Sequence, residues 1–198
     1  MFSQRVYRSA AVLLAVLTLI TSSIAASSPV NTPIGIRNFG KISDSYYRGA
    51  QPTARDFPAL AALGIRTVLD LRLTGESSEQ ARVEQAGMKF YQIPMTTSDR
   101  PSDAAVSQFL DIVNNPANQP VFVHCQEGRH RTGVMTAIYR IATDGWTADR
   151  AYAEMDRFNF ESFFGHPTLK KFVYDYYREF ARTHDRQEKT VLATIIPK

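Results

Sequence analysis

Pro120-Val121-Phe122-Val123-His124-Cys125-Gln126-Glu127-Gly128-Arg129-His130-Arg131-Thr132-Gly133 runs from an apolar stretch through a polar turn into Val134, Met135, Ile138 and Ile141 at helical spacing. Branched residues before the turn and a 3.6-residue period after it predict strand, loop and helix in that order. At such a junction the amides between Gln126 and Arg131 can curl into a nest at a helix N-terminus, where unpaired N–H groups and the helix dipole both favour an anion. Gly128 and Gly133 allow the tight curl and close helix packing. Cys125, the one cysteine of the chain, lies in the same field. A free thiol titrates near about 8.5, and a helix N-terminus with neighbouring cations lowers that by several units, so a thiolate nucleophile is expected at Cys125. Arg131 offers a planar fork of donors matched to two oxygens of a phosphoryl group. Gln126, Glu127, Gly128, Arg129, His130 and Arg131 are the expected phosphate-binding residues.

Outward from the loop, strands and helices alternate. Tyr46-Tyr47-Arg48-Gly49-Ala50 is followed by a helix through Leu60 and Leu63 closed by Gly64, then by the buried strand Thr67-Val68-Leu69-Asp70-Leu71. A helix around Glu79 to Ala86, capped by Gly87, leads to the strand Lys89-Phe90-Tyr91-Gln92-Ile93. A helix carrying Phe109, Leu110 and Val113 precedes the loop, and three follow it: Thr132 to Thr143, Thr147 to Phe158, and about Pro167 to Arg182. This order predicts a single α/β domain of three layers, with a mostly parallel sheet of about four to five strands flanked by helices. The site would lie beyond the carboxyl ends of the central strands. Phe158, Phe160, Phe163 and Phe164 read as a hydrophobic cluster tying two helices together. Arg48 and Arg72 read as surface or ion-pair arginines.

The run H-C-x5-R-[ST], here His124 to Thr132, resembles the signature of cysteine-dependent protein tyrosine and dual-specificity phosphatases. The resemblance extends in element order from about Tyr46 to Tyr177, and its specific part is Val121 to Gly133. Tyr46 to Pro52 and Leu69-Asp70-Leu71-Arg72 look like the entry segment and second strand of compact bacterial members. The resemblance implies a phosphatase in which Cys125 attacks phosphorus, Arg131 holds the equatorial oxygens and Thr132 helps the sulfur leave, with His124 orienting the loop. Gly128 to Gly133 is also similar to the basic loop of plant and fungal atypical dual-specificity phosphatases, some of which act on inositol pyrophosphates. Arg129 and His130 add positive potential that a polyanion would gain from. Glu127 stands where that subgroup tends to carry a base, and many dual-specificity loops carry Glu there, tied to a nearby arginine. The substrate is therefore a phosphorylated protein or a small polyanionic phosphate ester. An inositol polyphosphate or pyrophosphate phosphatase and a silent phosphate-binding module are the alternatives. Sulfur-transfer and arsenate-reducing loops are typically one residue shorter or use further cysteines.

A leaving oxygen needs a proton, usually from a carboxylic acid on a mobile loop. The candidate loop, Pro94 to Asp103, holds two aspartates. Asp99 is mid-loop and is preferred; Asp103 falls in a helix's first turn, where a carboxylate favours the dipole without any catalytic purpose.

Arg5 and Arg8, an apolar run from Ala10 to Ile20 and small residues to Ala26 have the pattern of a signal peptide over residues 1–26. The apolar run is shorter than the roughly 20 residues of a spanning helix, so no stable membrane anchor is expected after cleavage. Residues 27–41 read as a flexible lead-in, 42–182 as the phosphatase domain and 183–198 as a mixed-charge tail. Export to the periplasm or outside the cell follows, and a sole cysteine forms no intrachain disulfide there. The formal charge of +4 falls by two with Arg5 and Arg8, which is no nucleic-acid footprint. The four histidines are dispersed, so no metal or other cofactor is expected.

Overall fold

The structure, a computed structural model, describes residues 34–75, 78–161 and 166–195, with residues 188–195 described by backbone alone. The proposed signal peptide and the first part of the lead-in lie outside these residues. Strands β1 (Gly40–Lys41), β2 (Tyr46–Ala50), β3 (Thr67–Arg72), β4 (Lys89–Met95) and β5 (Val121–Cys125) form one sheet in the order β1-β2-β5-β3-β4. Only β1 runs antiparallel; the other four are parallel, as the alternation implied. Helices α1 (Asp56–Ala62), α2 (Glu79–Gln85), α3 (Asp103–Asn114), α4 (His130–Ala142), α5 (Ala148–Arg157) and α6 (Pro167–Ile195) complete the three layers.

Helices cover both faces, so the central strands β2, β3 and β5 are buried throughout, without the alternation of exposed and buried residues of a one-sided sheet. Successive residues nevertheless go to opposite sides. Tyr46, Leu69, Leu71, Val121, Val123 and Cys125 face the core shared with α3 to α6, whereas Tyr47, Val68 and Phe122 face the smaller core under α1 and α2. Tyr46 stacks on Tyr139 with ring centroids 4.7 Å apart, and its hydroxyl meets Thr136 Oγ1 at 3.0 Å. Ser102 and Thr147 start α3 and α5 by accepting the amides of Ala105 and Arg150. Each such cap contributes about 1 kcal/mol.

Two expected boundaries move. The fold begins earlier than residue 42: Ile36 is buried, Arg37 O accepts the Ala50 amide at 2.8 Å, and Phe39 stacks on Phe122. Apolar residues spaced among Pro, Asn and Gly dock this stretch onto the α1 side of the sheet. The helix expected to stop at Arg182 continues to Ile195, replacing most of the expected tail. Its mixed charges support that extension, since Arg182 and Arg186 approach Glu179 at 3.8 and 3.9 Å, one turn or two away on the helix. Among the described residues no helix is long and apolar enough to cross a membrane.

Candidate active site

Cys125 ends β5, the strand between β2 and β3, and is only 2% exposed. Residues 126–129 form the turn, and α4 starts at His130, two residues before the expected Thr132, which brings Arg131 into its first turn. Three consecutive carbonyls of the turn are bound from outside. Gln126 O accepts the Gln51 amide at 3.3 Å, Glu127 O accepts Asn38 Nδ2 at 2.8 Å, and Gly128 O accepts Arg48 Nη2. In a trans peptide the C=O and the following N–H point in opposite directions. Holding these carbonyls outward therefore turns the amides of Glu127, Gly128 and Arg129 toward the concave side, at the positive end of α4.

Gly128 makes this seating possible. Its φ is +67°, and a Cβ there would lie 2.5 Å from Gly49 C and 2.6 Å from Ala50 N, both backbone atoms of β2. Gly133 is not needed in the same way, because its Cβ would meet Phe160 and Met155 at 3.5 Å or more, an ordinary contact. The close packing expected of Gly133 thus leaves room for a methyl group.

Arg131 is half-buried and donates from Nη1 to Met95 O at 3.2 Å, which ties the fork to the end of β4. Thr132 is fully buried and its hydroxyl makes no hydrogen bond among the described residues, leaving it available beside the Cys125 loop. Glu127 is held by Arg37 through contacts of 2.8 and 3.0 Å, so the arginine that ties the loop comes from the lead-in. His130 corrects an expectation. Burial, then the neighbouring His166 at 3.8 Å between ring centroids, pushes its pKa down to about 4. It is therefore neutral near pH 7 and adds no charge to the rim; arginines supply the positive potential.

The expected acids separate. Asp99 lies in the exposed loop between β4 and α3, where its carboxylate accepts Thr96 Oγ1 at 2.8 Å and Ser98 Oγ at 3.3 Å. That loop starts one residue after Met95, the anchor of Arg131. Asp103 is the first residue of α3, paired with Arg100 at 3.3 Å, as the first-turn reading implied. A groove lined by Val106, Leu110, Phe172, Tyr176 and Phe180 lies between α3 and α6, and no residue of the Cys125 loop lines it.

Behind the loop, both arginines read as surface or ion-pair groups are buried, and the ion-pair alternative holds for Arg72. Arg72 bridges Asp70, at 2.9 Å, and Glu79. His124 lies in the same cluster, with Nε2 2.9 Å from Glu79 Oε1. The fold thus gathers a histidine and two carboxylates within 4.8 Å of one another, which the dispersed sequence positions concealed, and Arg72 supplies the cation among them. Arg48 is completely buried in β2, under the ring of Phe158 at 4.0 Å. An arginine in an otherwise apolar strand, on the same face as Tyr46, was the available signal.

Residues 35–168 match the family described as "DSP-PTPase phosphatase fused to NAD+ Kinase", a span that takes in every element from β1 to α5 and the whole Cys125 loop. The chain belongs to this DSP-PTPase family. Among similar proteins, the dual specificity protein phosphatase TpbA of Pseudomonas aeruginosa strain PAO1 is 32% identical over 144 residues, covering 72% of this chain and 63% of TpbA. The inositol diphosphatase SIW14 of Saccharomyces cerevisiae is 30% identical over 129 residues, covering 62% of this chain and 46% of SIW14. This DSP-PTPase chain therefore spans less than two thirds of either relative. The crystal structure of a cysteine-to-serine TpbA in complex with pTyr superposes with a TM-score of 0.61 at 27% identity, covering 81% of this chain and 99% of that one.

Proposed function

We propose that this chain is a phosphomonoester hydrolase that works through a cysteinyl-phosphate intermediate, acting as a protein tyrosine or dual-specificity phosphatase. The observation that carries this reading is the loop after Cys125, with three successive carbonyls held outward and Arg131 at the start of α4. Amides fixed before the substrate arrives stabilise the charge that builds on the phosphoryl oxygens without reorganising.

In the first step the Cys125 thiolate forms an S–P bond while the bond from phosphorus to the ester oxygen breaks. The leaving oxygen takes its proton from Asp99, and Arg131 holds two of the remaining oxygens. In the second step water attacks phosphorus, Asp99 recovers a proton from it, the S–P bond breaks, and Thr132 donates a hydrogen bond to the departing sulfur. The products are the alcohol and inorganic phosphate. Asp103, paired with Arg100 on α3, is a helix-start residue in this scheme. The test is hydrolysis of substrates with poor and good leaving groups. Asp99→Asn is expected to slow the poor one selectively and Asp103→Asn neither; equal behaviour of both variants would remove Asp99 from the role.

The second reading, hydrolysis of inositol polyphosphates or pyrophosphates, is favoured by the likeness to SIW14. Against it stands Glu127, whose charge is already matched by Arg37. Phosphate release from phosphopeptides and from an inositol pyrophosphate, compared at equal concentration, separates the two. The run Ala10 to Ile20 and the small residues after it further support export of the enzyme. Fractionation of expressing cells tests that: retention of full-length chain in the cytoplasm would contradict it.

A further inference from the structure

Among the described residues, Arg48 is the least explained charged group. Its side chain is wholly buried, Nη2 donates to Gly128 O, and Nε and Nη1 make no hydrogen bond among the described residues. The ring of Phe158 covers the guanidinium, and Phe158 is itself pressed against Gly40, where an added Cβ would come within 2.6 Å of the ring. A cation sealed in this way is costly unless something negative answers it. Arg48 pairs in register with Val123, two residues before Cys125, so its side chain leaves the sheet on the same face as the thiol.

The groups whose charge acts on Arg48 are Tyr46, Cys125 and Glu154; they oppose the burial that pushes its pKa down to about 10. Tyr46 is a buried phenol whose pKa is pushed up, chiefly by desolvation, so it is neutral at physiological pH. Glu154 is already held by Arg140 through contacts of 2.8 and 3.1 Å. Cys125, whose side chain leaves the sheet on the same face, is the partner that remains.

We infer that Arg48 is a positioning residue of this site, which holds the Gly128 carbonyl outward from behind the loop and balances the charge of the Cys125 thiolate. The inference rests on the cysteine-phosphatase reading and adds to it a second arginine, one that never touches substrate. Arg131 works on the phosphoryl face; Arg48 works on the opposite side of the loop, under cover of Phe158. Attraction between a cation and a thiolate in a poorly solvated site is stronger than at the surface. Arg48 therefore keeps the nucleophile ionised and the amides aimed.

The experiment measures the rate of iodoacetamide alkylation of Cys125 against pH in the full chain, beside p-nitrophenyl phosphate turnover and thermal melting. In Arg48→Met the alkylation midpoint is expected to rise by about one pH unit, with alkylation about tenfold slower below it. Turnover is expected to fall about 10²-fold. His124, Glu127 with Arg37, Arg129, His130 and Arg131 are unchanged in this variant, so the difference isolates Arg48. Arg48→Lys, which restores a cation, is expected to recover at least part of the midpoint shift but not the hold on Gly128. An unshifted midpoint in a folded Arg48→Met, or a Lys variant indistinguishable from Met, would overturn the inference. Should Arg48→Met fail to fold, Phe158→Leu takes its place: it opens the guanidinium to water, so a smaller shift of the same sign supports the inference and an unchanged profile overturns it. Alkylation does not depend on turnover. Loss of wild-type hydrolysis in Cys125→Ser separately tests the phosphatase reading, so failure of one is distinguishable from failure of the other.

Discussion

Replacing Gly128 by alanine tests whether the anion loop is seated on β2 as described. The added methyl would stand 2.5 to 2.6 Å from Gly49 C, Gly49 O and Ala50 N, and none of these is a side chain that could swing away. The loop would have to lift or β2 to shift. Overpacking of this kind costs roughly 1–3 kcal/mol. Placing an L-residue at φ +67° adds roughly 1–2 kcal/mol. Together these remove roughly 2–5 kcal/mol from a fold whose total stability is of the order of 5–15 kcal/mol. Lifting the loop also breaks the Arg48 bond to Gly128 O, turning a donor amide off target, and one lost oxyanion donor costs about 10²- to 10³-fold in turnover. Urea unfolding followed by tryptophan fluorescence gives the stability change, and p-nitrophenyl phosphate hydrolysis gives the catalytic one. Gly133→Ala is the control: it fills ordinary space inside α4 and is expected to be neutral or to stabilise by up to about 1 kcal/mol. A Gly128→Ala protein with the wild-type unfolding midpoint and turnover within threefold of wild type, on the order of experimental scatter, would refute the close approach.

Three further outcomes are expected. Arg72→Met leaves Asp70 and Glu79 buried without their cation and should cost about 3–5 kcal/mol in urea unfolding; a loss below about 1 kcal/mol would mean the network is self-sufficient. His130 has a folded pKa of about 4 against an unfolded value near 6.5. The unfolded chain thus binds more protons between these values, and the His130 contribution is fully present above about pH 6.5 and lost as pH falls toward 4. His130→Asn should flatten the fall in melting temperature over that window, and an unchanged slope would assign it to other groups. Arg131→Lys keeps a cation but cannot grip two oxygens while anchored to Met95 O, so kcat/KM should fall by about 10²-fold or more; near-wild-type kinetics would deny the bidentate role.

What the sequence made legible is what local pattern encodes. Cys125, Arg131 and the strand-loop-helix around them are contiguous, so spacing alone placed both residues at one helix start. The parallel sheet followed from alternating elements, because a strand crossing over through a helix returns parallel to itself. Long-range partners were not legible. Arg37 reaches Glu127 across 90 positions, and Arg48 reaches Gly128 across 80; nothing in either segment alone names its partner. Arg48 did leave a trace, as the single charge in Tyr46-Tyr47-Arg48-Gly49-Ala50. The length of α6 was hidden for a different reason: Arg182 to Lys189 is as polar as a tail, with no apolar stripe to mark it as helix.

The central claim is that phosphate passes through the sulfur of Cys125. Acid quenching of the enzyme during turnover of a phosphomonoester, followed by peptide mass analysis, tests it most directly. A phosphoryl group on the Cys125 peptide is expected, accumulating further in Asp99→Asn and absent from Cys125→Ser. Wild-type turnover in Cys125→Ser, with no phosphoryl group on that peptide in the wild-type enzyme, would contradict the account.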